Sequence, residues 1–274
     1  MRSLRLLAAL CLAFAVACAS ARTSTTLKET PLASDIQAPG LLFQLRYQPA
    51  DAAEVQRLRT ELLAVAPRLS RWGPFRQGVF IQIHPDHAAL EEAVNRRGYP
   101  WLHAWAYQDR IQLESPRGLD ETTLQELLAH ELTHSLMFQL MAQSDTWNGD
   151  PPPVWFREGM ASVTAGQGYR RMSANELQRW TEAHPGANLL NPSPDLYRTE
   201  REAVYAAAHR AFEVLLGLVG DQGIREILRG VSNGEEFPQA FARTTGHRLA
   251  DFEHEAVRAR FNAAQARFNG SGGP

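Results

Sequence analysis

The chain has 274 residues, 44% of them hydrophobic, with 30 acidic against 28 basic side chains, which is enough for one large or two small globular domains. That composition excludes a disordered or collagen-like chain. A formal charge of -2, with the arginines spread along the sequence, leaves no dense basic face for a nucleic acid. Both cysteines, Cys11 and Cys18, fall in the first twenty residues, so the folded body has no thiolate ligands and any metal must be held by nitrogen and oxygen.

Arg2 and Arg5 precede an apolar run from Leu6 to Val16, and small residues follow. This is the layout of a secretory signal peptide, read over residues 1–17, and it predicts export to a bacterial periplasm or cell envelope. The run is 11 residues, against the roughly 20 needed to span a bilayer as a helix. Two cleavage readings stay open. Ala15-Val16-Ala17-Cys18 resembles the lipobox of bacterial lipoproteins, except that Ala15 stands where leucine is usual, and it would make Cys18 a lipidated membrane anchor. Ala17-Cys18-Ala19 and Ala19-Ser20-Ala21 also suit ordinary signal peptidase. Residues 18–38, rich in Thr and Ser, read as a flexible tether.

The mature chain then predicts a strand over 41–47 and an amphipathic helix over 51–69, with Val55, Leu58, Leu62 and Val65 on one face and Asp51 as its cap. A strand over 78–84 and a helix over 86–97, ended by Gly98, follow. Residues 104–113, with Trp105, Tyr107, Ile111 and Leu113, read as one strand before a turn at 115–118. Helices are predicted over 120–142, 154–165, 173–183, 199–219, 220–229, 235–245 and 249–268. Pro-rich connections occupy 143–153 and 185–195, and 269–274 is a flexible end. The expected fold is α+β: a small mixed sheet with helices in an N-terminal subdomain, 39–118, then an active-site helix and a mostly helical subdomain, 119–268.

The chemistry sits just after that join. His130-Glu131-Leu132-Thr133-His134 is an H-E-x-x-H sequence in a helical run. Residues four apart share a helix face, so both imidazoles reach one ion. Chance would place roughly 0.02 such matches in a chain of this composition, which makes two merely solvent-facing or core histidines the weaker reading. Leu124, Leu128 and Leu132 supply a core stripe on another face, and Asp120 can cap the helix. A catalytic zinc needs three protein ligands and an open position for water. Glu158 lies 24 positions after His134, on a second helix that a Pro-rich loop turns back, and fits as the third ligand.

These segments, His130 to His134, Pro153-Val154-Trp155-Phe156-Arg157-Glu158-Gly159-Met160-Ala161 and a later helix carrying Tyr205, resemble the gluzincin metallopeptidases, especially the bacterial peptidase MA-like family. The resemblance covers roughly residues 41–268, with its specific motifs in 130–161. It implies a zincin-like fold, one Zn2+ per chain, a peptide or protein substrate, and a sheet whose edge strand borders the cleft above the motif helix. Residues 104–113 would be that strand, able to pair with an extended substrate. The spacing to Glu158 is longer than in thermolysin, and Ser162 stands where many relatives carry a larger polar residue.

In this reading His130, His134 and Glu158 hold the metal, and Glu131 is the general base for a metal-activated water. Tyr205 is the candidate oxyanion donor and His209, one turn on, a second option, against the plainer reading that a Tyr among alanines packs. The aromatics Tyr99, Trp101, Trp105 and Tyr107 suit either a substrate pocket or the core, and Trp147 a pocket rim. The rival reading is a non-hydrolytic exported zinc-binding adaptor or assembly factor. Glu131 weighs against it, because a structural site has no use for a general base and usually has four protein ligands. A hydrolase of non-protein amides is a further alternative.

Overall fold

The computed structural model describes residues 30–142 and 151–258; the signal peptide, Cys18, Trp147 and the C-terminal end lie outside them. The N-terminal half is a five-stranded mixed sheet in the order β1-β2-β3-β5-β4. Its strands are β1 (Leu32–Ala38), β2 (Leu41–Tyr47), β3 (Val79–His84), β4 (Ala104–Tyr107) and β5 (Arg110–Glu114). β1 and β2 form an antiparallel hairpin through Gly40, at φ 74°. β2 pairs parallel with β3 after the crossover helix α1 (Ala52–Leu69), and β3 pairs parallel with β5.

Four expectations are corrected here. Leu32–Ala38, placed in the tether by its polar composition, is a strand, because Ile36 and Ala38 alternate inward and are buried against β2. Residues 104–113 are two strands: Gln108, at φ 57°, turns the chain so that β4 pairs antiparallel with β5 and becomes the sheet edge. Asp51 does not cap α1 with its side chain either. It is buried, accepting from Ser115 Oγ at 2.5 Å and pairing with Arg117 at 3.0 Å, so it ties the helix start to the turn after β5. The predicted helix over 86–97 is the shorter α2 (His87–Ala93), capped by Asp86 Oδ1 from the Ala89 N–H at 2.9 Å.

The inward rows Phe43, Leu45, Val79, Ile81, Ile111 and Leu113 meet Leu58, Leu62 and Val65 of α1 and Leu124, Leu128, Leu132 and Leu136 of α3 (Glu121–Met141) in one hydrophobic core. Asp120 caps α3, its Oδ1 accepting from the Thr123 N–H at 2.8 Å. α3 is enclosed on more than its apolar stripe. Thr133 and Ser135 are fully buried, so the motif helix is the central rod of the molecule rather than a surface helix.

The helical half comprises α4 (Val154–Ala165), α5 (Ala174–Ala183), α6 (Pro194–Thr199), α7 (Arg201–Ser232), α8 (Phe237–Thr245) and α9 (Leu249–Arg258). The two helices predicted over 199–219 and 220–229 follow one another as α7, with a non-helical break at Gly220, φ 64° and ψ -177°. By length and composition α7 could cross a membrane, yet 56% of its most apolar window is buried within the protein. An aromatic cluster of Trp155, Phe156, Phe212, Phe237, Phe241 and Phe252 locks α4 against α7, α8 and α9. Trp155 Nε1 also donates to Glu253 at 2.8 Å. The α+β architecture with a helical C-terminal half is therefore as expected, with zincin-like placement of the motif helix beside the edge strand β4.

Candidate metal centre

α3 carries His130 and His134 one turn apart, and the two Nε2 atoms lie 3.2 Å from each other. Glu158 arrives from α4, its Oε2 3.3 Å from His130 Nε2 and 3.5 Å from His134 Nε2. What lets α4 come so close is Gly159. A Cβ there would sit 2.3 Å from the Ala208 carbonyl oxygen and 2.6 Å from Phe212 Cβ, so only glycine permits the α4–α7 crossing that aims the preceding residue at the histidines. Gly166, at φ 75°, then ends α4 in the left-handed region and turns the chain into a single 3-10 turn, Gln167–Arg170.

The three donors fit a zinc ion. Tetrahedral ligands at about 2.0–2.1 Å stand about 3.3–3.4 Å apart, which matches the observed triangle. Glu158 Oε2 is buried and has no hydrogen-bond partner, a costly state for a carboxylate oxygen unless a cation sits before it. Burial would push the Glu158 carboxyl up, but the facing His134 and His130 outweigh it and hold the group well below the usual carboxylate range. It is therefore a charged ligand at neutral pH.

Glu131, only 8% exposed, points to a different side of α3. Its carboxyl is pushed up to about 7, first by burial and with a further contribution from the Glu158 charge, against the opposing pull of His130 and of the Ala106 backbone N–H. That N–H belongs to the edge strand β4. A carboxyl poised near neutrality beside both the ligand cluster and a strand edge has the proton affinity that general-base work requires.

Tyr205 stands over the centre, its ring centroid 6.1 Å from that of His130. Its hydroxyl lies 3.0 Å from the Tyr197 hydroxyl, and Tyr197 donates to Glu158 Oε1 at 3.3 Å. Burial, reinforced by the Glu158 charge, raises both phenols above their usual value, so both remain protonated donors. Tyr197 had no sequence signal. It lies on the short helix α6 after a Pro-rich connection, and only the packing of α6 on α7 brings it in. His209 goes elsewhere: it is buried with Nδ1 2.9 Å from Ser162 Oγ and Nε2 3.4 Å from Glu213.

Ser162 begins an outer chain of support. Arg171 Nε donates to its hydroxyl at 3.1 Å, Arg171 Nη2 donates to Gln167 Oε1 at 2.6 Å, and the same Gln167 oxygen lies 3.2 Å from His130 Nδ1. With Gln167 as acceptor, His130 carries its proton on Nδ1 and turns the Nε2 lone pair to the centre. Gln167 and Arg171 follow the helix-ending Gly166, and that glycine was the one legible hint that the chain turns back there. None of Tyr99, Trp101, Trp105 and Tyr107 is fully buried. Tyr107 is 63% exposed, while Trp101 lies 6.4 Å from Tyr197 between ring centroids.

No family model matches this sequence, and no curated protein matches it. Among solved structures it is similar to an M1 zinc metallopeptidase from Deinococcus radiodurans, with a TM-score of 0.45 and 16% identity over 85% of this chain and 51% of that one. A glutamate-to-alanine mutant of an M1 zinc metallopeptidase from the same organism gives a TM-score of 0.47 at 15% identity, over 84% of this chain. Covering 51% and 52% of them, the chain spans about half the length of these M1 metallopeptidases to which its fold is similar.

Proposed function

We propose that the chain is a zinc-dependent metallopeptidase of the gluzincin type, close to the peptidase MA-like family. The observation that carries the reading is the convergence of His130 Nε2, His134 Nε2 and the unpartnered, buried Glu158 Oε2 on one point beside Glu131. His130, His134 and Glu158 would hold one Zn2+, which when bound polarises a carbonyl and lowers the pKa of a water toward about 7.

The residues of the chain do the rest. Glu131 takes the proton of the attacking water and later delivers it to the leaving amine. The Ala106 N–H holds that carboxylate in place from β4. An extended peptide pairs with the free edge of β4, which passes beside α3, so main-chain hydrogen bonds bring its backbone across the centre. Tyr205, kept protonated by its buried setting, turns its O–H from Tyr197 to the oxygen on which negative charge develops. Gln167 keeps the His130 lone pair turned inward.

Residues 1–17 would direct export to the periplasm or cell envelope, with Cys18 as a membrane attachment if it is acylated. Hydrolysis of a fluorogenic peptide library, with and without a chelator, tests the function. Cleavage abolished by the chelator and restored by Zn2+ supports it. An absence of cleavage for every peptide, with metal bound, overturns it in favour of the adaptor.

A further inference from the structure

A second group of two histidines and a carboxylate lies away from α3. His87 opens α2, His103 immediately precedes β4 and Glu114 closes β5, and one donor atom from each lies within 4.8 Å of the others. The sheet brings them together. β3 pairs with β5 so that His84 stands opposite Glu114, and the Glu114 N–H donates to the His103 carbonyl at 2.9 Å. A single oxygen, Glu114 Oε2, faces both rings, 2.9 Å from His103 Nδ1 and 3.4 Å from His87 Nδ1.

The other side of His87 makes the group informative. Its Nε2 is buried and without a hydrogen-bond partner, yet it lies 3.4 Å from Glu91 Oε1, which is itself fixed by the Tyr99 N–H at 2.7 Å. A neutral imidazole cannot satisfy both ends. With its proton on Nδ1, the Nε2 lone pair confronts the Glu91 carboxylate; with its proton on Nε2, the Nδ1 lone pair confronts Glu114. A positive charge on the Nδ1 side removes the conflict: either a second proton, which makes His87 an imidazolium, or a metal ion. His103 favours the ion, because it directs a second imidazole nitrogen at the same carboxylate oxygen from a half-exposed position that leaves room for water. Glu91 then accepts from Nε2–H, the carboxylate–histidine–metal relation that orients histidine ligands.

We propose that His87, His103 and Glu114 form a second divalent-metal site, with Glu91 orienting His87 from outside. Two imidazoles and one carboxylate are donors for zinc and its neighbours rather than for Mg2+ or Ca2+. Bound there, the ion ties the start of β4 to the start of α2 and the end of β5. His103 is three residues before Ala106, the donor to Glu131, so the ion steadies the edge strand near the main centre.

The test is titration of the full chain, stripped by chelator and then given Zn2+ alone, with bound metal counted after dialysis. Wild type binds two equivalents, one weaker than the other. His87→Ala combined with His103→Ala binds only the tighter equivalent, and His103→Gln, which keeps the bulk of the side chain, loses the weaker one as well. Glu91→Gln weakens that equivalent about tenfold. In Glu158→Ala the weaker equivalent persists, which separates this site from the main centre. One equivalent in wild type, retained by the double variant, overturns the proposal. Two equivalents that survive the double variant, with circular dichroism unchanged, overturn it too.

Discussion

Among the described residues there are two His, His, Glu groups, and they are built in opposite ways. The group of His130, His134 and Glu158 takes two donors from one rigid helix and the third from a helix locked against it, and His130 and Glu158 are 5% and 8% exposed. The group of His87, His103 and Glu114 is collected from a helix start and two strand ends, with the His103 side chain 51% exposed. Helical spacing alone settles the separation of the first two donors in the buried group. In the outer group every separation depends on strand register and loop path. The donor spacings differ accordingly: 3.2, 3.3 and 3.5 Å in the buried group, against 2.9 and 3.4 Å from one shared oxygen in the outer one. Burial also raises the proton affinity of Glu131 beside the first group, whereas Glu91 beside the outer group is held below the usual carboxylate range, first by the Tyr99 N–H.

The contrast can be broken first at Glu131. Glu131→Gln is expected to lower peptide hydrolysis by about 10²–10⁴-fold while metal content stays as in wild type. Retained hydrolysis would remove Glu131 from the mechanism and leave the buried group no more catalytic than the outer one.

Rigidity is tested at Gly159. Gly159→Ala sets a Cβ against the Ala208 carbonyl and Phe212, so α4 must move off α7. A loss of about 3 kcal/mol in unfolding free energy is expected, together with weaker zinc binding at Glu158. An unchanged melting temperature would show that the crossing is looser than the packing implies.

The electrostatic side is read from stability against pH in metal-free protein. Glu131 has a folded pKa of about 7 and an unfolded value of about 4.3. Between those values the folded chain binds the extra proton, so this group's contribution falls as pH rises through the window and is level beyond it. Glu131→Gln is therefore expected to stabilise the metal-free chain by up to about 3 kcal/mol more at pH 8 than at pH 4. Urea denaturation at the two values measures it, and an equal effect at both would show that burial does not shift the group.

Smaller effects come from the outer supports. Gln167→Ala is expected to weaken zinc at the main centre about tenfold, read by competition with a chromogenic chelator, without changing the weaker equivalent. His103→Ala in metal-free protein is expected to alter stability by only about 0.5 kcal/mol, because the group it leaves is half-exposed. A loss several times larger would mean that the outer group is a structural ion pair of the sheet.

How much of this was legible in the sequence depends on how local each feature is. The helix of H-E-x-x-H, its Asp120 cap, the strands over 41–47 and 78–84 and the break before Gly220 follow from period, capping and turn chemistry within a dozen residues. Glu158 was legible because a Pro-rich loop and a second helix confine it to one neighbourhood. The hairpin at Gln108 was not, since a non-glycine residue at positive φ carries no turn signature, and β1 was hidden by a polar outer face that resembles a linker. By itself the sequence determined the ligand types and the spacing of two of them, because 3.6 residues per turn leaves no freedom within a helix. Only the tertiary structure decided that Tyr197 and Gln167 reach the centre, that Ala106 holds Glu131, and that His87, His103 and Glu114 meet at all. Those contacts join residues whose separation is set by loops, strand register and helix crossings, and packing in three dimensions alone fixes such distances.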